Sequence, residues 1–545
     1  MTLLAVSLAP ESPDEIDAML ELARRSVAEG AELIEWRIDR VADAADAAAL
    51  VSRLVGGVPV PCIVTCRPIW EGGDYDGDDA ARVSLLEAIG TSAPPPSYFD
   101  VELALWSRSA NLRQKIELVV AHRGQHRPVS TRLVLSSHDF GGRPSDLLRR
   151  LAAMADEPTC AVAKIAWRAR SLRDNLEAFE LLRARTKPTI ALCIGPFGLP
   201  SRVLARKFGA FLTFASAEGA APTAPGQPTV RELRRRYRWD AIGVRTRLYG
   251  VIGWPVAQSQ GPELHNAGFE RVGHDGVYLP LPVPPEWEHF TATVGAFVDD
   301  PRLDFRGASV TIPHKEHLVR FVRERGGRVD PAAEAIGAAN TLTVDERGEI
   351  ACFNDDADAA WRTLIEEGGL DEHAAHTLSV AIIGAGGAAR AVAWACAARG
   401  AHVVIFNRNA SRAEALAAEL TMRLRAGERA RTGDVSAGCW EALARGCFPV
   451  LVNCTPVGMA GGPEPDASPL PAEFPLEPGL VLFDTVAVPQ RTPLIRAALA
   501  AGAVAIGGRG MFLRQAAAQF RRWTGQPAPE GWGEALGTVS AEGAQ

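Results

Sequence analysis

Several things are missing from this sequence, and each absence removes a class of protein. No stretch approaches ~18 uncharged apolar residues, the minimum for a membrane-spanning helix, although 47% of the chain is hydrophobic. No Lys/Arg block or basic stripe stands out and the formal net charge is -7, so nucleic acid is not an expected partner. The opening MTLLAVSLAPESPDEID has no basic segment and turns acidic at once, which argues against a secretory signal. The nine cysteines, at 62, 66, 160, 193, 352, 396, 439, 447 and 454, form no CxxC pair, and Cys62 and Cys66 lack nearby His or Cys partners for zinc. They read as the reduced thiols of a cytoplasmic protein with no metal site and no disulfide framework. No internal repeat is visible.

What is present is length and alternation. At ~150 residues per domain, 545 residues suggest about three or four domains. Apolar strand candidates fall at 3-9, 31-38, 60-66, 98-105, 132-136, 160-166, 188-194 and 210-215, with helical patterns such as 14-29 and 172-185 between them. Eight strands alternating with helices predict a (β/α)8 TIM barrel over residues 1-236. The Pro/Gly/Ala-rich EGAAPTAPGQPT (218-229) is an active-site loop, a linker, or both, and RELRRRYR is expected to be the solvated face of the barrel's last helix. From Arg247 a second α/β text begins, with strands at 248-252, 277-281 and 307-311. A doubly wound set follows at 379-388, 402-406, 449-453 and 480-484.

In the first half, AVAKIAW (161-167) places one ammonium, Lys164, in an apolar run. A buried lysine is costly unless paired or neutral; the bland explanation is that the strand ends there and the amine reaches water. Other strand ends weigh against it: EWRID supplies Glu35, Arg37 and Asp39, TCRPIWEGG supplies Arg67 and Glu71, SSHDF supplies His138, and GPFGLPSR supplies Arg202. Working residues of such barrels sit at the C-terminal strand ends. A desolvated lysine attacks ketones to form an imine, which acidifies the neighbouring C–H. A histidine then moves the proton, oriented by Glu71 or Glu35, while Arg202 or Arg67 grips a carboxylate. That chemistry is β-elimination or aldol cleavage on a keto acid.

Together, KIA, SSHDF, EWRID, the EGG at 71-73, GPFGLPSR and TAPGQ (223-227) resemble type I 3-dehydroquinate dehydratase over roughly residues 1-235. The resemblance implies Lys164 as Schiff-base lysine, His138 as general acid/base with Glu71, and Glu35, Arg37, Arg67, Arg202, Thr223 and Gln227 as substrate contacts. Thr223 stands where that family usually has serine, which keeps a hydroxyl.

In the second half, GAGGAAR (384-390) follows the strand SVAII and opens a helix, a cradle for a pyrophosphate. The next strand ends in Asn407 and Arg408 with Arg412 close by, where an acid would select NAD; arginine there suits a 2′-phosphate, hence NADP. SVTIPHK (309-315), IGAANT (336-341) and NDDADA (354-359) offer Lys315 and Asp356 as a polar pair to protonate a carbonyl oxygen during hydride transfer. With NCTPVGM (453-459), RTPL (491-494) and GMFLRQA (510-516), these motifs resemble shikimate dehydrogenase over about 247-530. The resemblance implies catalytic Lys315 and Asp356, and substrate contacts Ser259, Thr311, Asn340 and Gln515. It implies cofactor contacts Gly384, Ala385, Gly386, Gly387, Asn407, Arg408, Arg412, Thr455 and Met459. It divides the half into a substrate domain, 247-355 plus a C-terminal helix at about 510-530, and a Rossmann NADP domain, 356-509.

The whole chain is thus similar to fused dehydroquinate dehydratase–shikimate dehydrogenases. The expected ligands are small molecules (3-dehydroquinate, 3-dehydroshikimate, shikimate) rather than nucleic acid or membrane. Three departures stand in the second half: Gly261 replaces a serine, Asp355 a threonine and Ala487 a tyrosine. The first and third remove donors worth ~1.5-3 kcal/mol each toward a charged group. Gly261 is expected to make room for the extra hydroxyl of quinate, and Asp355 to repel a carboxylate if it faces the pocket. The alternatives are therefore a quinate dehydrogenase or a non-catalytic NADP-binding module in the second half, and a class I aldolase in the first.

Overall fold

The structure is a computed structural model and describes residues 2-126, 128-426, 432-444 and 448-537. Cys447, one of the expected thiols, lies outside the described residues. The chain divides into two compact units, Met1–Thr246 and Arg247–Gln545.

In the first unit, strands β1 (Leu3–Leu8), β2 (Leu33–Arg37), β3 (Cys62–Thr65), β4 (Tyr98–Glu102), β5 (Arg132–Asp139), β6 (Cys160–Arg168), β7 (Thr189–Ile194) and β8 (Leu212–Ala215) form one sheet. Its order is β7-β6-β5-β4-β3-β2-β1-β8, with parallel ladders throughout. Across the remaining seam the Phe211 amide donates to Thr189 O at 2.8 Å, so the barrel is nearly closed. Side chains alternate along a strand, and one parity points inward. At the N-terminal ends that parity is apolar: Ala5, Leu33, Ile63, Val134, Val162 and Ile190 share one buried cluster. Two residues further on the same parity turns polar, at Ser7, Glu35, Thr65, Ser136 and Lys164, and all of these are buried. The apolar half holds the barrel together and the polar half forms its mouth.

Two local expectations change. The fourth strand ends at Glu102, and Leu103–Arg108 is helical rather than extended. The basic segment forms a single π-helical turn, Glu232–Arg236, closed by the Tyr237 amide on Glu232 O at 3.1 Å; it does not extend into the expected last helix.

The second unit holds two sheets. The first combines β9 (Arg247–Gly253), β10 (Gly276–Pro282), β11 (Phe305–Val310), β12 (Arg328–Val329), β13 (Thr341–Val344) and β14 (Ile350–Phe353) in the order β10-β9-β11-β13-β14-β12. The second combines β15 (Ser379–Ile383), β16 (His402–Phe406), β17 (Val435–Ala437), β18 (Val450–Asn453), β19 (Val481–Asp484) and β20 (Val504–Ile506). Its order, β17-β16-β15-β18-β19-β20, is the doubly wound Rossmann arrangement. The last long helix, Arg509–Thr524, returns to the first sheet: its Ala516, Phe520 and Trp523 pack with Tyr249, Phe269 and Tyr278. Among the described residues, no helix is long and apolar enough to cross a membrane.

Candidate functional site

The mouth of the barrel is a pocket that gathers the polar strand ends. Glu35 and Arg37 come from β2, Arg67 and Glu71 from the segment after β3, His138 from β5 and Lys164 from β6. Arg202 comes from the short helix Leu199–Val203, and Thr223 and Gln227 from the loop after β8; all of these line the pocket. Lys164 Nζ sits 3.2 Å from Glu35 Oε1 and 2.7 Å from Asp100 Oδ2, with the Phe214 ring centroid at 4.6 Å. Lys164 thus has ionic partners where it is buried, and the strand continues past it to Arg168.

His138 Nδ1 lies 3.4 Å from Glu71 Oε2, so Glu71 rather than Glu35 is the carboxyl that meets the imidazole. Burial pushes the Glu71 carboxyl up to about 8 and, together with the charges of Arg67 and Lys164, holds His138 well below the usual histidine range. Burial thus disfavours the charged form of both groups of the pair.

The two arginines differ. Arg67 is fully engaged: Nη1 donates to Glu71 (2.9 Å), Glu102 (2.8 Å) and Ser136 (2.8 Å), and Nη2 to Asp100 (2.8 Å). Arg202 is as buried, yet among the described residues its Nε has no partner, and its Nη1 makes a long 3.5 Å contact with Phe214 O. Desolvation lowers its guanidinium to about 10. An unpaired buried guanidinium is unstable unless something anionic arrives, and its planar fork suits a carboxylate.

The loop residues are placed by the loop itself. The Gly195 amide donates to Pro225 O at 3.1 Å, and Gly226 adopts φ 76°, with a Cβ there coming within 2.6 Å of Gly195 O, so only glycine fits. Gln227 Oε1 accepts from the Thr223 hydroxyl (3.1 Å) and the Ala224 amide (3.2 Å). The hydroxyl at Thr223 is therefore used to orient Gln227.

In the second unit a cleft runs between the two sheets. Lys315 opens the helix Lys315–Glu324 and Asp356 opens Asp356–Gly368, where the positive helix end favours a carboxylate. Lys315 Nζ is 2.6 Å from Asp356 Oδ2; Asn340 Nδ2 bridges Asp356 Oδ1 (3.0 Å) and Gln515 Oε1 (2.9 Å). Ser259 and Thr311 line the same cleft.

Gly386, Gly387, Arg412, Thr455 and Met459 line the cleft from the other side. A Cβ at Gly386 would meet nothing within 4 Å, whereas one at Gly387 would strike the Lys315 side chain at 2.9 Å. An open glycine before the N-terminus of the helix Gly387–Ala397, with an arginine beside it, is a donor set that fits a dinucleotide with a 2′-phosphate. Gly384 and Ala385 lie just behind, in the turn after β15. Asn407 and Arg408 do not line the cleft. Asn407 Nδ2 donates to Asn409 O, and Arg408 makes an exposed pair with Glu464 at 3.3 Å.

Two expectations about the altered residues fail. Asp355 turns away from the cleft: it accepts from Arg522 (2.8 Å) and from the Thr341 hydroxyl (2.7 Å). Gly261 leaves no spare room on its Tyr278 side, because a Cβ there would meet Tyr278 Cε1 at 2.9 Å and its hydroxyl at 3.1 Å. The Tyr278 hydroxyl donates to Ser309 Oγ (2.7 Å), and Ser309 donates to Gln519 Oε1 (2.7 Å). Tyr278, Gln519 and His265 line the cleft and had no motif in the sequence to mark them; Ser309, which opens SVTIPHK, lines it too without having been singled out. In the barrel the missed residues are Asp100 and Glu102. Their signal was visible, two acids spaced two apart in the apolar strand YFDVE.

Comparison with known proteins divides the chain in the same way. Residues 5-243 match the family model of type I 3-dehydroquinase. Residues 251-342 match the shikimate dehydrogenase substrate binding domain, 370-428 shikimate / quinate 5-dehydrogenase, and 508-531 the shikimate 5'-dehydrogenase C-terminal domain. The chloroplastic bifunctional 3-dehydroquinate dehydratase/shikimate dehydrogenase of Arabidopsis thaliana is 34% identical over 536 residues, which span 96% of this chain and 82% of that protein. The NADP(+) shikimate dehydrogenase of Methanopyrus kandleri is 40% identical over 53% of this chain and 94% of its own length. A solved shikimate 5-dehydrogenase from Thermus thermophilus, in complex with NADP(H) and shikimate, is 33% identical over 53% of this chain and 98% of that one, with a TM-score of 0.43.

Proposed function

Because the chain belongs to the bifunctional 3-dehydroquinate dehydratase/shikimate dehydrogenase family, we propose how its own residues divide the two reactions. The protein is a lyase and an NADP-dependent oxidoreductase of the shikimate pathway. The barrel, residues 1-236, dehydrates 3-dehydroquinate to 3-dehydroshikimate through a Schiff base. The second unit, with a substrate domain at 247-355 and about 510-530 and a cofactor domain at 356-509, reduces 3-dehydroshikimate to shikimate.

The observation that carries the first assignment is Arg202, a buried guanidinium without a carboxylate, in the same pocket as Lys164 and His138. Arg202 takes the substrate carboxylate. Lys164 attacks the ketone; the carbonyl oxygen leaves as water and the lysine nitrogen becomes a protonated imine. His138, whose Nδ1 faces Glu71, uses Nε2 to take the proton from the carbon next to the imine. The electron pair expels the hydroxyl one carbon further on, which leaves as water with that proton. Water then frees Lys164 and the enone. Glu35, Arg37, Thr223 and Gln227 supply the remaining polar contacts around the ring.

In the second unit NADPH, when bound, would supply the hydride for the carbonyl carbon. Lys315, paired with Asp356, supplies the proton at the oxygen, and Asn340 and Gln515 hold Asp356 and the substrate hydroxyls in register. Gly386, Gly387, Arg412, Thr455 and Met459 hold the cofactor, with Gly384, Ala385, Asn407 and Arg408 shaping the turns behind them. Ser259 and Thr311 face the substrate. The same reading makes the chain a cytoplasmic enzyme of small molecules, on the ground that its described cysteines are all free thiols.

The test is sequential. Purified protein is mixed with 3-dehydroquinate and enone absorbance followed; NADPH is then added. Enone formation followed by NADPH oxidation is expected. Enone without NADPH oxidation would remove the dehydrogenase assignment, and NADPH oxidation without enone, persisting in Lys164→Ala, would mean that the second unit reduces dehydroquinate directly.

A further inference from the structure

One group beside the reacting nitrogen has no part in the steps above. Asp100, on β4, is buried, and its Oδ2 is the nearer of the two carboxylate oxygens on Lys164 Nζ, at 2.7 Å against 3.2 Å for Glu35 Oε1. An ammonium has three N–H bonds and can satisfy both. Imine formation changes that count: the ammonium and the ketone give a protonated imine and one water, the positive charge is kept, and the nitrogen, now bonded to Cε and to the substrate carbon, retains one N–H. One carboxylate must therefore give up its hydrogen bond.

We propose that Asp100 keeps the imine N–H throughout turnover and that Glu35 is the carboxylate released, its Oε1 turning to accept from the bound substrate. This rests on the Schiff-base reading of Lys164. Three features favour this division. Glu35 lines the pocket and Asp100 does not, so only Glu35 can exchange the lysine for a ligand. Asp100 is fixed from behind by charge, through Arg67 Nη2 (2.8 Å) and the Ser136 hydroxyl (2.6 Å) on Oδ1, and Arg67 is itself held by Glu71 and Glu102. Glu35's other side-chain hydrogen-bond partners are neutral hydroxyls, Ser7 (2.6 Å) and Thr65 (3.0 Å), which hold it without needing the lysine.

The titratable and charged groups around this nitrogen are Glu35 and Arg37 from β2, Arg67 and Glu71 after β3, Asp100 and Glu102 from β4, and His138 from β5. Burial pushes the Asp100 carboxyl upward, but Arg67 and Lys164 outweigh it and hold it well below the usual carboxylate range, so it stays an anion beside the imine. An anion at that place keeps the imine protonated, and the protonated imine is the electron sink for elimination.

The experiment measures kcat for dehydration against pH in the full-length protein, in Asp100→Asn and in Glu35→Gln, with borohydride trapping of the dehydroquinate adduct in each. The descending alkaline limb of kcat reports loss of the imine proton. In Asp100→Asn that limb is expected to move to lower pH by about one unit or more, with the adduct still forming on Lys164. In Glu35→Gln the limb is expected to stay in place while KM rises. A limb unmoved in Asp100→Asn, or one displaced in Glu35→Gln by the shift expected of Asp100→Asn, overturns the proposal, and the Glu35→Gln arm decides it even if Asp100→Asn does not fold. No adduct on Lys164 in the unaltered protein would instead overturn the Schiff-base reading itself.

Discussion

Glu71 Oε2 lies 3.4 Å from His138 Nδ1, and burial disfavours the charged form of both groups. In the free enzyme Glu71 keeps its proton until about pH 8. The carboxylate cannot donate to Nδ1, so it accepts from His138 Nδ1–H and leaves the lone pair on Nε2 for the substrate. The dehydratase kcat/KM is therefore expected to rise as pH passes through about 8, and Glu71→Gln to remove that rise. The sign for stability is opposite. A folded-state value above the usual 4.5 means the contribution is complete below 4.5 and is lost as pH climbs through about 8, so Glu71→Gln flattens that decline. An ascending limb that survives in Glu71→Gln would assign the titration to another group.

Arg202 and Arg67 should fail in different ways. Arg202→Ala removes the pocket arginine that, among the described residues, has no carboxylate partner and is expected to cost about 2-5 kcal/mol of substrate binding, roughly thirty- to several-thousandfold in KM, with the fold intact by near-UV circular dichroism. Arg67→Ala removes the buried cation that Asp100, Glu102 and Glu71 share, leaving Asp100 with Lys164 and Glu102 with Arg82. It is expected to destabilise the barrel by ~3-5 kcal/mol. Equal Tm losses in the two variants would contradict this division.

Lys315→Ala should abolish NADPH oxidation with 3-dehydroshikimate while leaving dehydration of 3-dehydroquinate unchanged. A milder loss is expected in Asp356→Asn, which keeps a hydrogen-bond acceptor for Lys315 but removes the charge 2.6 Å away. Steady-state assays of both activities on the same preparation check it, and residual NADPH turnover near the wild-type rate in Lys315→Ala would eliminate it as the proton donor.

Gly261→Ala should impair the dehydrogenase. The added carbon meets the Tyr278 ring at 2.9 Å and displaces a hydroxyl that holds Ser309 and, through it, Gln519. Overpacking of this kind costs ~1-3 kcal/mol, read here as a roughly five- to hundredfold rise in KM for shikimate oxidation. An unchanged or lower KM would mean that the pocket tolerates a side chain there.

Much of the architecture was legible because barrel strands and Rossmann strands are buried on both faces and so read as plain apolar runs. The expected starts of the first four strands, 3, 31, 60 and 98, lie within two residues of Leu3, Leu33, Cys62 and Tyr98. Polar residues beyond the end of such a run, His138 among them, announced the mouth, as did Lys164, the one charge inside the apolar run 161-167. Asp100 and Glu102 were passed over because they lie inside the expected strand 98-105 rather than beyond its end. Their inward parity only becomes meaningful once Arg67 and Lys164 are known to face them. In the second unit, Tyr278 could not be read as a cleft residue, since its sequence neighbours give only a buried strand and its role follows from a glycine seventeen positions earlier. The direction of Asp355 depended on Arg522, 167 residues away, a pairing that no local pattern carries.

Gln515 belongs to the final long helix, yet it completes a site whose other polar members, Lys315, Asn340 and Asp356, were made some 160 to 200 residues earlier. During synthesis those earlier groups and the entire β15–β20 sheet emerge from the ribosome before the helix Arg509–Thr524 exists. The dehydratase pocket, by contrast, has all its members by Gln227. A nascent chain can therefore acquire its first activity long before its second, and a chain stopped short of residue 509 would release an enone that it has no means to reduce.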